Sequence, residues 1–169
     1  EPMQTISIDT IGPIKQDEEG YQHILVIVDN FTRWTELAAL KSVEAKEMAE
    51  HLVNYCGRFG FPAEILTDNG TQFVNDLMKE LTALLGSRHR TTVAYSKEEN
   101  SIVERMNKEV GRHLRAMVFD ENSDVQWGKK MLPMVQRIIN ATKKKSTGFS
   151  PAQLLFGDAL TLDRNVFVN

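Results

Sequence analysis

Residues 4–40 read QTISIDTIGPIKQDEEGYQHILVIVDNFTRWTELAAL and carry three strands in succession. From Gln4 to Thr10 the pattern has period two, with Ile6 and Ile8 on one side and Thr5, Ser7 and Asp9 on the other. Gly12-Pro13 stops that strand. Residues 22–28, QHILVIV, form a dense β-branched run suited to a buried strand. Asp29-Asn30 supply turn chemistry, so Arg33–Leu40 is expected to fold back as the third strand of a hairpin. Helical period then takes over. Ala45, Met48, Ala49, Leu52, Val53 and Cys56 make one apolar stripe, ended by Gly57 and Gly60-Phe61-Pro62. Glu64–Thr67 reads as a short strand running into Asp68-Asn69-Gly70. Phe73, Leu77, Leu81, Leu84 and Leu85 mark a second helix closed by Gly86. His89–Ala94 is a further strand candidate, and a long helix is expected from about Glu99 to Phe119. Ser123–Gln126 has the pattern of a capping box opening another helix through Trp127, Leu132, Val135 and Ile138. Ser150-Pro151 starts a short last one. Three strands, then alternating helix and strand, then helices, specify a mixed α/β layer fold.

The chain has 169 residues, 41% of them hydrophobic and 25% charged, which is the size and make-up of one globular domain. One cysteine, Cys56, excludes a disulfide framework and a Cys₂His₂ zinc cluster, and the four histidines are too scattered to supply a helical ligand pair. No apolar run approaches the roughly 20 residues of a membrane span. The chain opens directly on strand-like sequence without a signal-peptide pattern, which fits a piece of a longer protein, and the lone thiol fits a reducing compartment. The net charge of −3 points to no partner by itself. Its distribution says more: Glu104–Gly148 holds ten Lys/Arg against five Asp/Glu, a net +5, and the remainder is −8. Such a division suits either a face built for a polyanion or plain charge scatter. Lys143-Lys144-Lys145 likewise reads as a nucleic-acid or nuclear-import tract, or as a solvated helix end. Trp34 and Trp127 are expected in the core or an interface.

Three acids stand where chemistry has a use for them. Asp9 is on the polar side of the first strand, Asp68 at the end of a short strand, and Glu104 in the first turns of the long helix. Each has a plainer role open to it: a cap, an Asx turn, a solvated helix face. At 100° per residue, Val103, Met106, Val110, Leu114 and Met117 share one arc of the long helix. Glu104, Lys108, Arg112 and Arg115 share another, nearly opposite, which sets one acid among three cations. A trio of carboxylates suits two Mg²⁺ ions about 4 Å apart acting on a phosphodiester. Mg²⁺ is a hard cation that prefers carboxylate oxygen, with water and phosphate filling the remaining positions.

Asp68 and Glu104 are separated by 35 residues, with Asp9 upstream, and this spacing resembles the D,D(35)E signature of retroviral and LTR-retrotransposon integrases. SIDTIGP around Asp9, ILTDNGTQF around Asp68 and IVERMNKEV around Glu104 are similar to the three catalytic motifs. VDNFTRW and STGFSPAQLLFG look most like gypsy-type relatives, and the similarity runs from about Ser7 to Gly157. The resemblance implies a single ribonuclease-H-like domain over 1–169, a five-stranded mixed sheet flanked by helices. It implies a metal-dependent polynucleotidyl transferase that trims 3′ ends of element DNA and joins them to target DNA. Asp9, Asp68 and Glu104 would be catalytic and would hold two Mg²⁺ ions, with Mn²⁺ as a substitute. Tyr95, Asn107, Lys108, Arg112 and Arg115 would contact DNA. A homodimer of the core, a higher oligomer of the full-length protein, and work in the nucleus after a virus-like-particle or cytoplasmic stage follow from the same resemblance.

Two departures stand out. The loop Ser96-Lys97-Glu98-Glu99-Asn100-Ser101 lacks the Pro and Gly usual in the family, so the helix is free to begin as early as Glu98 or Glu99. The family's zinc-binding N-terminal and DNA-binding C-terminal modules are absent from this sequence. A transposase of the same chemistry, or a host-adopted, non-catalytic relative that binds DNA or protein, are the alternatives. A ribonuclease H would want a fourth carboxylate, for which Asp29, Glu36 and Asp76 are available but lie in no matching motif.

Overall fold

The computed structural model describes residues 1–91, 97–116 and 126–157, with side chains throughout except at 97–100. Its five strands are β1 (Thr5–Ile11), β2 (His23–Asp29), β3 (Thr35–Leu40), β4 (Glu64–Thr67) and β5 (Arg88–Thr91). They form one sheet in the order β3-β2-β1-β4-β5. The hairpins β1–β2 and β2–β3 are antiparallel, whereas β4 and β5 join parallel to β1 and to each other. The helices are α1 (Ala45–Phe59), α2 (Asp76–Leu84), α3 (Lys97–Leu114), α4 (Leu132–Ala141) and α5 (Pro151–Phe156). This is the five-stranded mixed sheet flanked by helices that the ribonuclease-H-like fold requires.

Alternation along β1 and β2 sorts the core into two layers. Ile6, Ile8, Leu25 and Ile27 face α1 and α2, where Met48, Leu52, Tyr55, Cys56, Phe73 and Met78 meet them. Ile24, Val26 and Val28 face α3 and α4, against Val103, Met106, Val110, Leu114, Val135 and Ile139. Fully burying each such side chain contributes about 1.5–3 kcal/mol, so the two layers dominate stability. The α3 arc predicted to pack is therefore the one that packs, apart from Met117, which lies outside the described residues. Both tryptophans are core residues, with Trp34 donating Nε1–H to Glu36 and Trp127 to the Lys15 carbonyl.

Several boundaries move, each for a local reason. Asp29 closes the β2–β3 turn by accepting from Thr32 N–H and Oγ1–H and from Met3 N–H, so β3 starts at Thr35 rather than Arg33. Helix α1 continues through Gly57, since its stripe is Met48, Leu52, Tyr55, Cys56 and Phe59 while Val53 is exposed. Helix α2 is capped by Asn75 and buries Met78 and Thr82, leaving Leu77 and Leu84 exposed. Gly86, at φ +68, ends it as predicted, with Ser87 N–H bonded to Thr82 and Gly86 N–H to Ala83. Helix α3 begins at Lys97, earlier than Glu99. Ser123–Val125 and Phe119 lie outside the described residues, and Trp127–Met131 form a π-helical turn before α4 rather than its first turns. Gly128 sits there because a Cβ would come within 2.7 Å of the Tyr21 ring. Lys144 is no solvated helix end: α4 stops at Ala141, and the Lys144 ammonium is half-buried against both carboxylate oxygens of Glu109 at 2.8 Å. Ser150 and Gln153 make the capping box of α5, as the Ser-Pro start implied.

The outer edge of β3 is closed by amides instead of another strand. Asn140 Oδ1 accepts from Thr35 N–H (2.9 Å) and its Nδ2 donates to the Thr35 carbonyl (2.7 Å), while Gln136 Oε1 accepts from Leu37 N–H (2.7 Å). The i, i+4 spacing on α4 matches the two-residue repeat of outward N–H groups on the strand. Asn140→Ala should lower unfolding free energy by about 2–4 kcal/mol, because both Thr35 groups lose their partners in a buried place. Gln136→Ala should cost less, about 1 kcal/mol. Urea denaturation of both variants checks the order.

Candidate active site

Asp9 is on the α3-facing side of β1, with Ser7 and Ile11, and pairs across the hairpin with Val26. The parallel β1–β4 register runs Thr5 to Glu64, Ile6 to Ile65 and Ser7 to Leu66. Two residues further on, the same register sets Asp9 beside Asp68, the first residue after β4. Helix α3 crosses above. Asn107 Nδ2 donates to Asp9 Oδ2 at 2.7 Å, and Thr10 N–H donates to Asp9 Oδ1 at 2.7 Å. Glu104 lies three residues before Asn107, on the same helix ridge and one turn nearer the helix start.

Asp9 is within electrostatic reach of both Asp68 and Glu104. The Asp9 carboxyl is raised above the usual aspartate range, chiefly by burial. Hydrogen bonds from Thr10 and Asn107 oppose the rise, and the negative charges of Asp68 and Glu104 add to it. Asp68 and Glu104 are themselves exposed. Asp68 Oδ1 accepts from Gly70 N–H at 2.8 Å, the Asx turn that its Asn-Gly sequel suggested. Each aspartate is thus occupied by a local bond. Among the described residues no three His, Cys, Asp or Glu side chains are gathered closely enough to hold a metal ion.

Lys108, Arg112 and Arg115 are exposed on the face of α3 that carries Glu104, as the helical wheel required. Asn107 is turned inward to Asp9, with its Oδ1 buried and without a hydrogen-bond partner. The resemblance assigned Asn107 to DNA, and here its amide is taken up by Asp9. Tyr95 lies outside the described residues. The three spare acids are elsewhere: Asp29 and Glu36 face α1 on the other side of the sheet, and Asp76 opens α2 beside Lys79.

The family described as integrase core domain matches residues 1–97. This chain belongs to the integrase core domain family. It is 30% identical over 145 residues, 85% of its length, to the Gag-Pol polyprotein of feline leukemia virus. It is 22% identical over 161 residues, 95% of its length, to the retrovirus-related Pol polyprotein from transposon 412 of Drosophila melanogaster. The chain spans 8% and 13% of those two proteins, so it corresponds to one segment of much longer polyproteins. Among solved structures it is similar to a chain of the cryoEM structure of the simian T-cell lymphotropic virus intasome in complex with PP2A regulatory subunit B56 gamma. The TM-score is 0.78 at 22% identity, covering 95% of this integrase core and 56% of that chain. That likeness confirms the ribonuclease-H-like fold. No helix among the described residues of this integrase core is long and apolar enough to cross a membrane.

The strain at Asp9 has a pH signature. A raised folded-state carboxyl stabilises the fold below its unfolded value of 3.8, and that contribution is lost as pH rises through the folded value. Asp9→Asn should therefore gain stability over the unaltered chain at pH 7, with the gain shrinking towards pH 3. Thermal melts across that range measure it, and a constant difference would rule out the electrostatic origin.

Proposed function

We propose that this integrase core is the catalytic segment of a polynucleotidyl transferase acting on DNA, with Asp9, Asp68 and Glu104 as its acids. The observation carrying the reading is geometric: the β1–β4 register sets Asp9 beside Asp68, and Asn107, one turn from Glu104 on α3, is hydrogen-bonded to Asp9. A fold that keeps three like charges together is less stable for it, and a divalent cation is the natural counter-charge. The donor set is all carboxylate oxygen, which suits Mg²⁺ or Mn²⁺ and not zinc. Asp9, Asp68 and Glu104 would hold two such ions. When bound, they supply Lewis-acid activation of a phosphodiester and of the attacking hydroxyl.

The chain's own part is placement and charge. Asn107 and Thr10 fix the orientation of the Asp9 carboxylate, so that donor is preorganised on a rigid strand. Asp68 stands on the turn after β4, and release of its bond to Gly70 frees the oxygen to turn inward. Lys108, Arg112 and Arg115 form a cationic ridge beside Glu104 along which a phosphate backbone can lie. The substrates proposed are an element DNA end, trimmed by water, and target DNA, attacked by the freed 3′-hydroxyl. Both are in-line displacements at phosphorus, and one set of acids serves both. Self-association is proposed on the flank away from the acids. There a cleft of about 380 Å³ between α1 and α4 is lined by His51, Asn54, Arg58, Pro133 and Gln136.

Asp68→Asn should lower strand transfer in Mg²⁺ at least about a hundredfold while the fold is retained. Normal transfer by that variant would overturn the assignment. Mn²⁺ titration should raise the melting temperature of the unaltered chain at neutral pH, and Asp9→Asn should abolish the rise.

A further inference from the structure

Thr67 and His89 stand behind Asp68 without a role so far. Thr67 ends β4 two residues after Ile65, so it shares the face that packs on α1 and α2, opposite α3. The parallel register pairs His89 of β5 with that same Ile65, which places the imidazole on the same face, diagonally across from Thr67. Thr67 Oγ1 and His89 Nε2 are 2.9 Å apart. The Thr67 hydroxyl donates its proton to the Asp68 carbonyl at 3.0 Å. A hydroxyl has one proton and a carbonyl can only accept, so the imidazole is the donor to Thr67, with its proton on Nε2. Burial lowers the His89 pKa below the ordinary histidine range, which leaves the ring one proton at neutral pH, and this bond assigns it. Thr67 is buried and His89 half-buried.

We propose that His89, acting through Thr67, is a positioning residue that holds the Asp68 backbone for metal coordination from the far face of the sheet. The proposal rests on the function above and deepens it at one acid. The described pairings of β4 run to Leu66 against β1 and to Thr67 against β5, one residue short of Asp68. The hydroxyl takes over there: by holding the Asp68 carbonyl it fixes the peptide plane between Asp68 and Asn69. A second bond, from Gly70 N–H, falls on the Asp68 carboxylate itself, the group that coordination needs. The Thr67 bond falls on the backbone and leaves the carboxylate free. The imidazole occupies a lone pair of the hydroxyl and so keeps its rotor aimed at Asp68. A ligand on a pinned backbone loses less freedom when it binds an ion, and groups that orient a metal ligand govern affinity for the metal.

Mn²⁺ binding at neutral pH, followed by the electron paramagnetic resonance signal of the free ion and without DNA, tests this independently of catalysis. Thr67→Val and His89→Phe should each weaken Mn²⁺ binding about tenfold. Valine keeps the branched shape that suits a strand, so Thr67→Val should retain the fold, and its circular dichroism checks this. His89→Gln, whose side-chain amide can still donate to the hydroxyl, should bind Mn²⁺ nearly as the unaltered chain does. The two groups act in series, so the double variant Thr67→Val, His89→Phe should bind no more weakly than Thr67→Val alone. Unchanged Mn²⁺ affinity in Thr67→Val or in His89→Phe would overturn the positioning role and leave the proposed function standing. Equal losses in His89→Gln and His89→Phe, or additive losses in the double variant, would show packing alone and overturn it too. Absence of Mn²⁺ binding by the unaltered chain, or binding indifferent to Asp68→Asn, would sink both readings.

Discussion

The amide of Asn107 on the carboxylate of Asp9 is the contact around which the candidate site is organised. It ties α3 to the middle of the sheet through a polar contact set in a largely apolar seam. On either side Val103, Met106 and Val110 pack on Ile24, Val26 and Val28. The apolar seam sets how close α3 approaches, and the polar contact sets its rotation and register. With that register, Glu104 falls one turn from Asn107 on the same ridge, and Lys108, Arg112 and Arg115 are left to solvent. A helix slipped by one residue would carry Glu104 about 100° around its axis, away from the aspartates.

The site holds charge at the expense of stability. Asp9 is partly desolvated and repelled by two further carboxylates, and two hydrogen bonds compensate only in part. Asp68 accepts locally from Gly70 N–H in its own Asx turn. The sheet beneath is held at its edge and on both faces. Its exposed edge is sealed by Asn140 and Gln136, and both faces are covered by helices.

Much of this was legible in the linear chain. Period-two alternation in β1 named the faces of Ile6, Ile8, Ser7 and Asp9 correctly, because a strand permits only two side-chain directions. The long-helix arcs held for the same reason at period 3.6. Turn and cap chemistry at Asp29, Gly86 and Ser150 was also readable, since those interactions span a few residues. Reading failed where long-range packing decides. The α1 stripe turned towards Tyr55 and Phe59, away from Val53, because Trp34 and Met3 wait on that side. Lys144 became a half-buried ion-pair partner because α3 brings Glu109 to it across 35 residues. Arg33 takes φ +66 in the turn before β3, a left-handed conformation that its residue type does not announce.

The sequence alone therefore determined which residue types were present, their spacing and the side of each element on which they fall, since these follow from backbone periodicity. Tertiary structure decided what meets what. Parallel pairing of β1 with β4 sets Asp9 beside Asp68, and apolar packing of α3 brings Asn107, one turn from Glu104, onto Asp9. Burial then makes Asp9 a strained acid instead of a solvated one. Those outcomes depend on pairing and desolvation between segments far apart in the chain, and no local pattern encodes them.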